Sequence, residues 1–449
     1  MYNLVKLDTY PILLLFCNMA TIFRMSDNQE KFPFVYNAFR GIAVGLLTGL
    51  FIMVFANTIH FVSKLNAKYT YLFLLLPVGA IATHYIYRIF GANFKKATVY
   101  AIDQIHSQEE KKALNLATEQ KSAHVNPLMG VVGYISASIS HLLGASVGKE
   151  GVGVQIGLSA GAILDSTENR IAKALKLKDT DTTAYYMMSG ASAAFGSLFG
   201  SPIAGTLFGL QFASPDIVRL DAIIPCTLSS FAATLVTTAL KTHIMVIPEY
   251  APLQFNINNM LWVIAFSLIA GFVVRFFCIA LEESKELGER CYGHLPQWIT
   301  KAIPATVLAA ITFIYFKLSG NLNYNGLATG LLYSSISGDV DWYAFILKAL
   351  LILLSMNAGF IGGEVVPLLV LGSTFGYAFA SIFSLPAPAF ASLGALIMLS
   401  GGTNLPLVCF ALGLELFHYN EPWLLFIACS LGYVASGKRG IYDHQRNII

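Results

Sequence analysis

The chain has 449 residues, of which 56% are hydrophobic and only 12% are charged, and its mean hydropathy is +0.64. Soluble domains carry about a quarter charged residues, so this composition excludes an ordinary soluble protein and leaves the lipid bilayer as the solvent. The 28 basic and 25 acidic residues give a net charge of +3, which is too small to indicate a nucleic-acid partner.

Apolar stretches recur along the whole chain. A membrane-spanning helix needs about 20 apolar residues; the clear stretches are 41–62, 71–90, 128–147, 222–240, 260–281 and 343–359, and shorter ones are 10–23, 152–164, 367–383 and 423–435. Several are too short to cross a bilayer alone, and little loop separates them. We therefore expect an all-α polytopic membrane protein with about 14 to 18 helical segments, some of them broken or re-entrant.

A carboxylate stands in the first glycine-framed segment, residues 148–153, which read Gly-Lys-Glu-Gly-Val-Gly. Glu150 precedes an apolar run and is expected at the start of a helix, where unpaired N–H groups and the helix dipole attract an anion. An anion and the Glu150 carboxylate would then compete for one position, and protonation would release the side chain. The alternative is a structural carboxylate paired with Lys149.

The second such segment, residues 362–367, reads Gly-Gly-Glu-Val-Val-Pro. Because proline is tolerated in the first turn of a helix, this segment also predicts a loop that enters a helix. Glu364 is expected to cap that helix, to pass protons or to face the ion, and the sequence leaves these roles open. Glu415 is a third acid at membrane depth, for which pairing or capping is favoured over transport.

The two halves of the chain resemble each other in order. Residues 202–211 and 406–415 share proline, glycine, leucine and a final amide or acid at equal offsets, 204 positions apart, and the two Gly-x-Glu segments are 214 apart. Chance remains an alternative for either match alone. A duplicated unit of about 200 residues with inverted topology explains both matches. We predict an N-terminal segment 1–40, repeats at 41–240 and 241–437, and a short cytoplasmic tail 438–449.

Cysteine and histidine spacing indicates no metal site and no cofactor. An intramembrane enzyme that uses Glu150 and Glu364 as an acid/base pair is disfavoured, because no nucleophile or metal-ligand set accompanies them. Several basic residues lie in the loops 165–183 and 282–301 and in the tail. Short basic loops of this kind are typical of the cytoplasmic side of a membrane.

Four ordered motifs resemble those of the CLC family of chloride channels and anion/proton antiporters. Residues 148–157 resemble its Gly-Arg/Lys-Glu-Gly-Pro motif, and residues 199–205 resemble its Ala-Pro-Leu-Ala-Gly stretch. Residues 363–367 resemble its Gly-x-Phe-x-Pro motif and are closer to the Gly-Gly-Glu-Val-Thr-Pro form of the bacterial fluoride/proton branch. Residues 436–442 look like the C-terminal segment of that branch. The resemblance covers about residues 41 to 442.

The resemblance implies a homodimer in which each subunit has its own pore built from two inverted halves. It implies that Glu150 is the gating glutamate, that Glu364 accepts protons, and that Tyr442 binds the central anion. Thr98 stands where the branch's central methionine loop aligns best. The expected anion-binding residues are Gly148, Lys149, Gly151, Gly363, Val365, Val366, Tyr442 and Thr98.

Three positions depart from the family pattern: Val152 replaces a proline, Val366 replaces a threonine, and Gln211 stands near the place of an internal acid. The missing acid suits the fluoride branch or a channel better than a chloride antiporter. The predicted function is transport of chloride or fluoride coupled to protons, in the plasma membrane of a bacterium. An uncoupled chloride channel is the alternative.

Overall fold

The computed structural model describes residues 33–114, 124–176, 182–251, 253–437, 439–442 and 445. The predicted apolar stretch 10–23 and most of the predicted N-terminal segment and tail lie outside these residues. Within them the chain forms sixteen α-helices and no β-strand longer than a single bridge. Six spans are long and apolar enough to cross a membrane. The predicted all-α polytopic architecture is confirmed.

The first eight helices are α1 (Pro33–Lys68), α2 (Leu76–Phe90), α3 (Ala97–Leu114), α4 (Leu128–Leu142), α5 (Glu150–Ala174), α6 (Thr183–Phe199), α7 (Pro202–Gln211) and α8 (Ile223–Ala239). The other eight are α9 (Ile257–Tyr292), α10 (Gln297–Ser319), α11 (Thr329–Ser337), α12 (Ala344–Asn357), α13 (Val365–Phe383), α14 (Ala387–Thr403), α15 (Pro406–Glu415) and α16 (Pro422–Ser436). Short 3-10 turns precede α2, α3 and α8.

Some features of the first eight helices recur in the second eight. The first members, α1 and α9, each have 36 residues, and α7 and α15 each have 10. Packing partners also recur: α1 packs on α8 as α9 packs on α16, and α5 packs on α6 as α13 packs on α14. The predicted division between residues 240 and 241 lies in the segment that joins α8 to α9.

Glycines permit the close packing of corresponding helix pairs. A Cβ atom added at Gly157 of α5 would lie 2.2 Å from the carbonyl oxygen of Gly190 in α6. In the second set, a Cβ at Gly372 of α13 would lie 2.1 Å from the carbonyl oxygen of Gly394 in α14. Helices in a membrane gain their association from such close contacts. The small residues at 157 and 161 therefore serve helix packing.

The helix α5 is longer than its apolar stretch predicted. The apolar pattern covers 152–164, whereas the helix continues to Ala174 through a polar last part. That part is anchored by Glu168, whose carboxylate forms a buried ion pair with Arg40 of α1, 2.7 Å from Nη2 to Oε1. Arg40 lies 128 residues away from Glu168 in the chain, so local periodicity cannot reveal this pair. The helix predicted from the apolar stretch was therefore too short.

Candidate functional site

Two helices begin at the same point inside the protein. The segment before α5 and the segment before α13 pair through two backbone hydrogen bonds: Gly148 N donates to Gly363 O at 2.7 Å, and Gly363 N donates to Gly148 O at 2.8 Å. The bridge is antiparallel. Both N-terminal ends therefore lie side by side, and the partial positive charges of two helix beginnings meet in one region.

The glycines are required by this close approach. A Cβ at Gly148 would lie 2.6 Å from Glu150 Oε2, and a Cβ at Gly363 would lie 2.3 Å from the backbone nitrogen of Gly151. A Cβ at Gly362 would lie 2.4 Å from the Cβ of Val147. Contacts this short do not occur between real side chains, so only glycine allows the two segments to pair.

The carboxylate of Glu150 lies at the junction of these two helices. Glu150 is the first residue of α5 and is 1% exposed. Its Oε2 accepts a hydrogen bond from the backbone N–H of Lys149 at 3.0 Å, and the carboxylate also faces the backbone N–H of Val366 in α13. Among the described residues no ammonium group forms an ion pair with it. Backbone N–H groups and the nearby positive charge of Lys149 both favour the ionised carboxylate.

Glu364 and Tyr442 lie beside the helix junction. Glu364 occupies the N-cap position of α13, is half-buried, and makes no capping hydrogen bond through its side chain. Tyr442 is close enough to Glu364 and Glu150 for their charges to interact with its hydroxyl. The backbone N–H of Ile441 donates to Gly402 O at 2.7 Å, and this bond fixes the segment that carries the tyrosine.

A cavity of about 1660 Å³ opens onto the site. Its wall includes Gly151, Glu364 and Tyr442 of the site and Thr98, the second residue of α3. A third helix beginning thus faces the same space. Of the predicted anion-binding residues, Gly148, Lys149, Gly363, Val365 and Val366 belong to the two paired segments or to the first turn of α13, and Gly151, Thr98 and Tyr442 line the cavity.

Glu415 lies apart from this arrangement. Its two carboxylate oxygens accept hydrogen bonds from the backbone N–H groups of Ile203 and Ala204 at 2.9 and 2.8 Å. These are unpaired donors at the start of α7, so Glu415 caps that helix from the other half of the chain. The prediction that this acid serves capping agrees with the geometry.

Sequence reasoning missed Lys348, which is fully buried in α12. Its Nζ donates to Ser146 Oγ at 2.7 Å and to the carbonyl oxygens of Tyr324 and Gly326 at 3.1 and 3.0 Å. The lysine thereby holds the segment that leads to Gly148. A lone lysine within the apolar stretch 343–359 was the available signal, because a charge at membrane depth needs a specific partner.

The described ranges contain no group of three His, Cys, Asp or Glu side chains that could hold a metal ion. The polar groups that converge on the site are two carboxylates, a phenol and backbone N–H groups. This set can bind a small anion and can exchange a proton at a carboxylate, because the N–H groups attract negative charge and the carboxylates titrate.

Comparisons with known proteins find relatives that match most of the chain. The family model described as voltage gated chloride channel matches residues 79–437. A chloride/fluoride channel protein of Pseudomonas syringae pv. tomato is 29% identical over 434 residues, which cover 94% of this chain and 89% of that protein. An H+/Cl− exchange transporter of Vibrio campbellii is 23% identical over 88% of this chain and 85% of its own length.

Solved structures show the same architecture. The crystal structure of a CLC-type fluoride/proton antiporter superimposes with a TM-score of 0.79 and 25% identity, covering 92% of this chain and 98% of that chain. A slow cyanobacterial Cl−/H+ antiporter superimposes with a TM-score of 0.71 at 17% identity, covering 89% and 94%. The second likeness supports the fold alone.

Proposed function

The chain belongs to the voltage-gated chloride channel family, and we propose that it exchanges a halide anion, chloride or fluoride, for protons across the membrane. The observation that carries this proposal is the placement of Glu150, whose carboxylate lies where the beginnings of α5 and α13 meet. A negative ion is attracted to the same N–H groups. The relatives named for chloride, fluoride and proton transport support the choice of substrates.

Glu150 acts as the gate in this proposal. When it is ionised, its carboxylate occupies the electropositive position and excludes the anion. Protonation neutralises the side chain, which then leaves the position, so that the anion enters as a proton moves. Glu364, at the start of α13 and on the cavity wall, accepts the proton on the other side of the gate.

Backbone N–H groups and hydroxyl groups bind the anion in this proposal. We assign this role to the segments around Gly148 and Gly363, to the side chains of Tyr442 and Thr98, and to the neighbouring residues Lys149, Gly151, Val365 and Val366. The buried surroundings support the assignment, because the attraction between N–H groups and an anion is stronger where water is scarce.

An uncoupled anion channel is the second candidate. Gln211 suits this candidate as well as it suits the fluoride branch; it is a buried amide at the end of α7 whose Nε2 donates to Pro215 O at 3.1 Å. The chloride antiporters to which the sequence is similar carry an acid near this position, and an amide does not transport protons at neutral pH.

We also propose the assembly and location of the protein. The family resemblance favours a homodimer with one pore in each subunit, built from repeats at 41–240 and 241–437. The bacterial origin of the relatives favours the plasma membrane of a bacterium. Counting of fluorescently labelled subunits in single vesicles tests the dimer.

Reconstituted vesicles test the transport proposal. Efflux of fluoride, chloride and nitrate is measured while the pH is recorded, and an anion gradient is expected to drive protons uphill. Glu150→Gln is expected to abolish that proton movement and to leave or raise the anion flux, because a neutral amide cannot exchange a proton. Anion flux without uphill proton movement in the wild type supports the channel. Unchanged coupling in Glu150→Gln overturns the gating role.

A further inference from the structure

The large cavity carries an excess of positive charge. Five basic side chains and two acidic ones line it; the basic residues are Arg88, Lys95, Lys96, Lys285 and Lys301, and the acids are Glu289 and Glu364. A cleft with walls of one sign concentrates counter-ions from solution. The positions of the basic side chains within the cleft then determine where an anion binds.

Lys95 extends into the cavity from the turn that precedes α3. Its Nζ lies 4.7 Å from the centre of the Tyr87 ring, a cation–π contact. In the described part of the chain no carboxylate comes within ion-pair distance of Lys95. Lys301 of α10 is near enough that its charge opposes protonation of Lys95. The two cations therefore repel each other within the cavity they both line.

Lys301 of α10 also lines the cavity. Its Nζ donates to the carbonyl oxygen of Asn357, the last residue of α12, at 3.2 Å. An ammonium group has three N–H donors. One is used in this bond, and the other two remain for an anion. Glu289 lies within electrostatic range on α9 and forms no ion pair with Lys301 among the described residues. The positive charge of Lys301 is only partly compensated.

The wall between these lysines and the helix junction is continuous. The side-chain stem of Lys301 packs on Gly359, 3.2 Å from its Cδ to the position of an added Cβ. Residues 359–362 then line the cavity up to Glu364 and Tyr442. An anion held at Lys301 would thus lie on the route to the proposed central site.

We infer that Lys95 and Lys301 form a second anion-binding subsite, which captures the halide between them before it reaches Tyr442. The inference rests on the proposed transport function and deepens it, because it assigns the step of anion entry to two side chains. A bound anion relieves the repulsion between the two cations, which gives the pair a preference for a small negative ion over an empty site.

Charge-neutralising variants test the subsite. Halide transport by reconstituted Lys95→Gln and Lys301→Gln is measured as a function of halide concentration. Each variant is expected to raise KM on the order of tenfold with kcat nearly unchanged, because local anion concentration falls. The double variant is expected to raise KM by less than the product of the single effects, since both lysines bind one ion.

Two controls separate a defined site from the general charge of the protein. Lys317→Gln removes a lysine from the same helix as Lys301 but outside the cavity wall. Lys96→Gln removes the neighbour of Lys95 from the cavity wall itself. The inference requires that both controls change KM by less than about threefold. An equal rise in KM in Lys96→Gln and Lys95→Gln would show that the anion is attracted by the overall charge of the cavity wall, and would overturn the subsite.

Calorimetric titration of the purified, detergent-solubilised protein with halide distinguishes failure of the subsite from failure of the transport proposal. Weaker halide binding in Lys95→Gln and Lys301→Gln supports the subsite even if the wild type transports no halide, an outcome that would refute the proposed function alone. A wild type that transports halide, together with variants whose KM and binding match it, overturns the subsite alone.

Discussion

The carboxylate of Glu150, the first residue of α5, faces the backbone N–H of Val366, the second residue of α13. One ionisable group thus lies at the beginnings of two helices that come from different halves of the chain. Each helix beginning carries about half a positive charge. A change of protonation at Glu150 therefore alters the charge balance at both helices at once.

Val366→Thr is expected to change the affinity for fluoride relative to chloride. The two side chains have nearly the same shape, and the new hydroxyl adds a hydrogen-bond donor beside the proposed anion position. Halide competition in vesicle efflux measures the effect. Val370→Thr, one turn farther into α13 and also fully buried, is the matched control. Identical selectivity in Val366→Thr and the wild type would place Val366 outside the pathway.

Gly363→Ala is expected to abolish transport and to lower the stability of the protein. The added Cβ would lie 2.3 Å from the backbone nitrogen of Gly151, so the two paired segments must separate, at a cost of about 1–3 kcal/mol. Thermal unfolding in detergent measures the loss of stability, and halide flux into vesicles measures the loss of transport. Gly330→Ala, where nothing lies within 4 Å of the added Cβ, should leave both unchanged. Normal flux in Gly363→Ala would contradict the need for close pairing.

Glu168→Gln is expected to destabilise the protein by about 3–5 kcal/mol, because it leaves the buried guanidinium of Arg40 without its countercharge. Arg40 donates to both carboxylate oxygens of Glu168, and the hydroxyls of Tyr36 and Tyr186 donate to the same carboxylate. The exposed pair Arg290–Glu286 provides the control.

Glu286→Gln should change stability by less than about 1 kcal/mol, because exposed ion pairs are screened by solvent. Unfolding temperatures of the two variants in the same detergent make the comparison. Equal shifts in both would show that burial of the Arg40–Glu168 pair confers no special dependence on its charge.

Glu415→Gln is expected to lower stability by about 1 kcal/mol while leaving the proton-to-anion ratio unchanged, because the acid caps α7 and lies outside the proposed pathway. The amide retains one acceptor oxygen for the two N–H groups of Ile203 and Ala204. Stability is measured by thermal unfolding and the ratio by vesicle flux with pH recording. A changed ratio would move Glu415 into the proton route.

Glycine and proline patterns were sufficient to predict where α5 and α13 begin. The glycines before Glu150 and Glu364 interrupt apolar stretches, and Pro367 indicates a first turn, so local chemistry alone determined both helix starts. The match between residues 202–211 and 406–415 likewise predicted the corresponding helices α7 and α15. The helix starts and breaks that were predicted depend on residues within about one helical turn of each other in the sequence.

Contacts between distant residues could not be predicted in this way. The pairing of Gly148 with Gly363 and of Arg40 with Glu168 depends on how whole helices pack. Lys301 belonged to the basic loop 282–301 in the sequence and Lys95 carried no prediction, and only the folded chain brings them to one cavity. Long-range electrostatic sites of this kind carry no local periodicity, which is why the sequence indicated the proposed gate but not the proposed anion entrance.

Transport is expected to weaken when the pH on the cavity side rises from 7 to 9. Burial against the surrounding protein and the positive charge of Lys301 lower the pKa of Lys95 to about 8. Lys95 is charged below this value and becomes neutral above it, so anion capture, and with it a low KM, is lost as the pH rises through 8. Further groups that titrate or carry charge around Lys95 include Tyr87, His84 and Arg88 on α2 and the adjacent Lys96.

The measurement is made in the Glu150→Gln background, where the gate itself does not titrate, so that the change in KM reports the cavity. Lys95→Arg should remove the pH dependence, because a guanidinium stays charged throughout this range. Lys95→Gln should show a high KM at every pH. If Lys95→Arg keeps the same rise in KM between pH 7 and 9 as its parent, another group is responsible, and Lys95 does not set the pH dependence of anion entry.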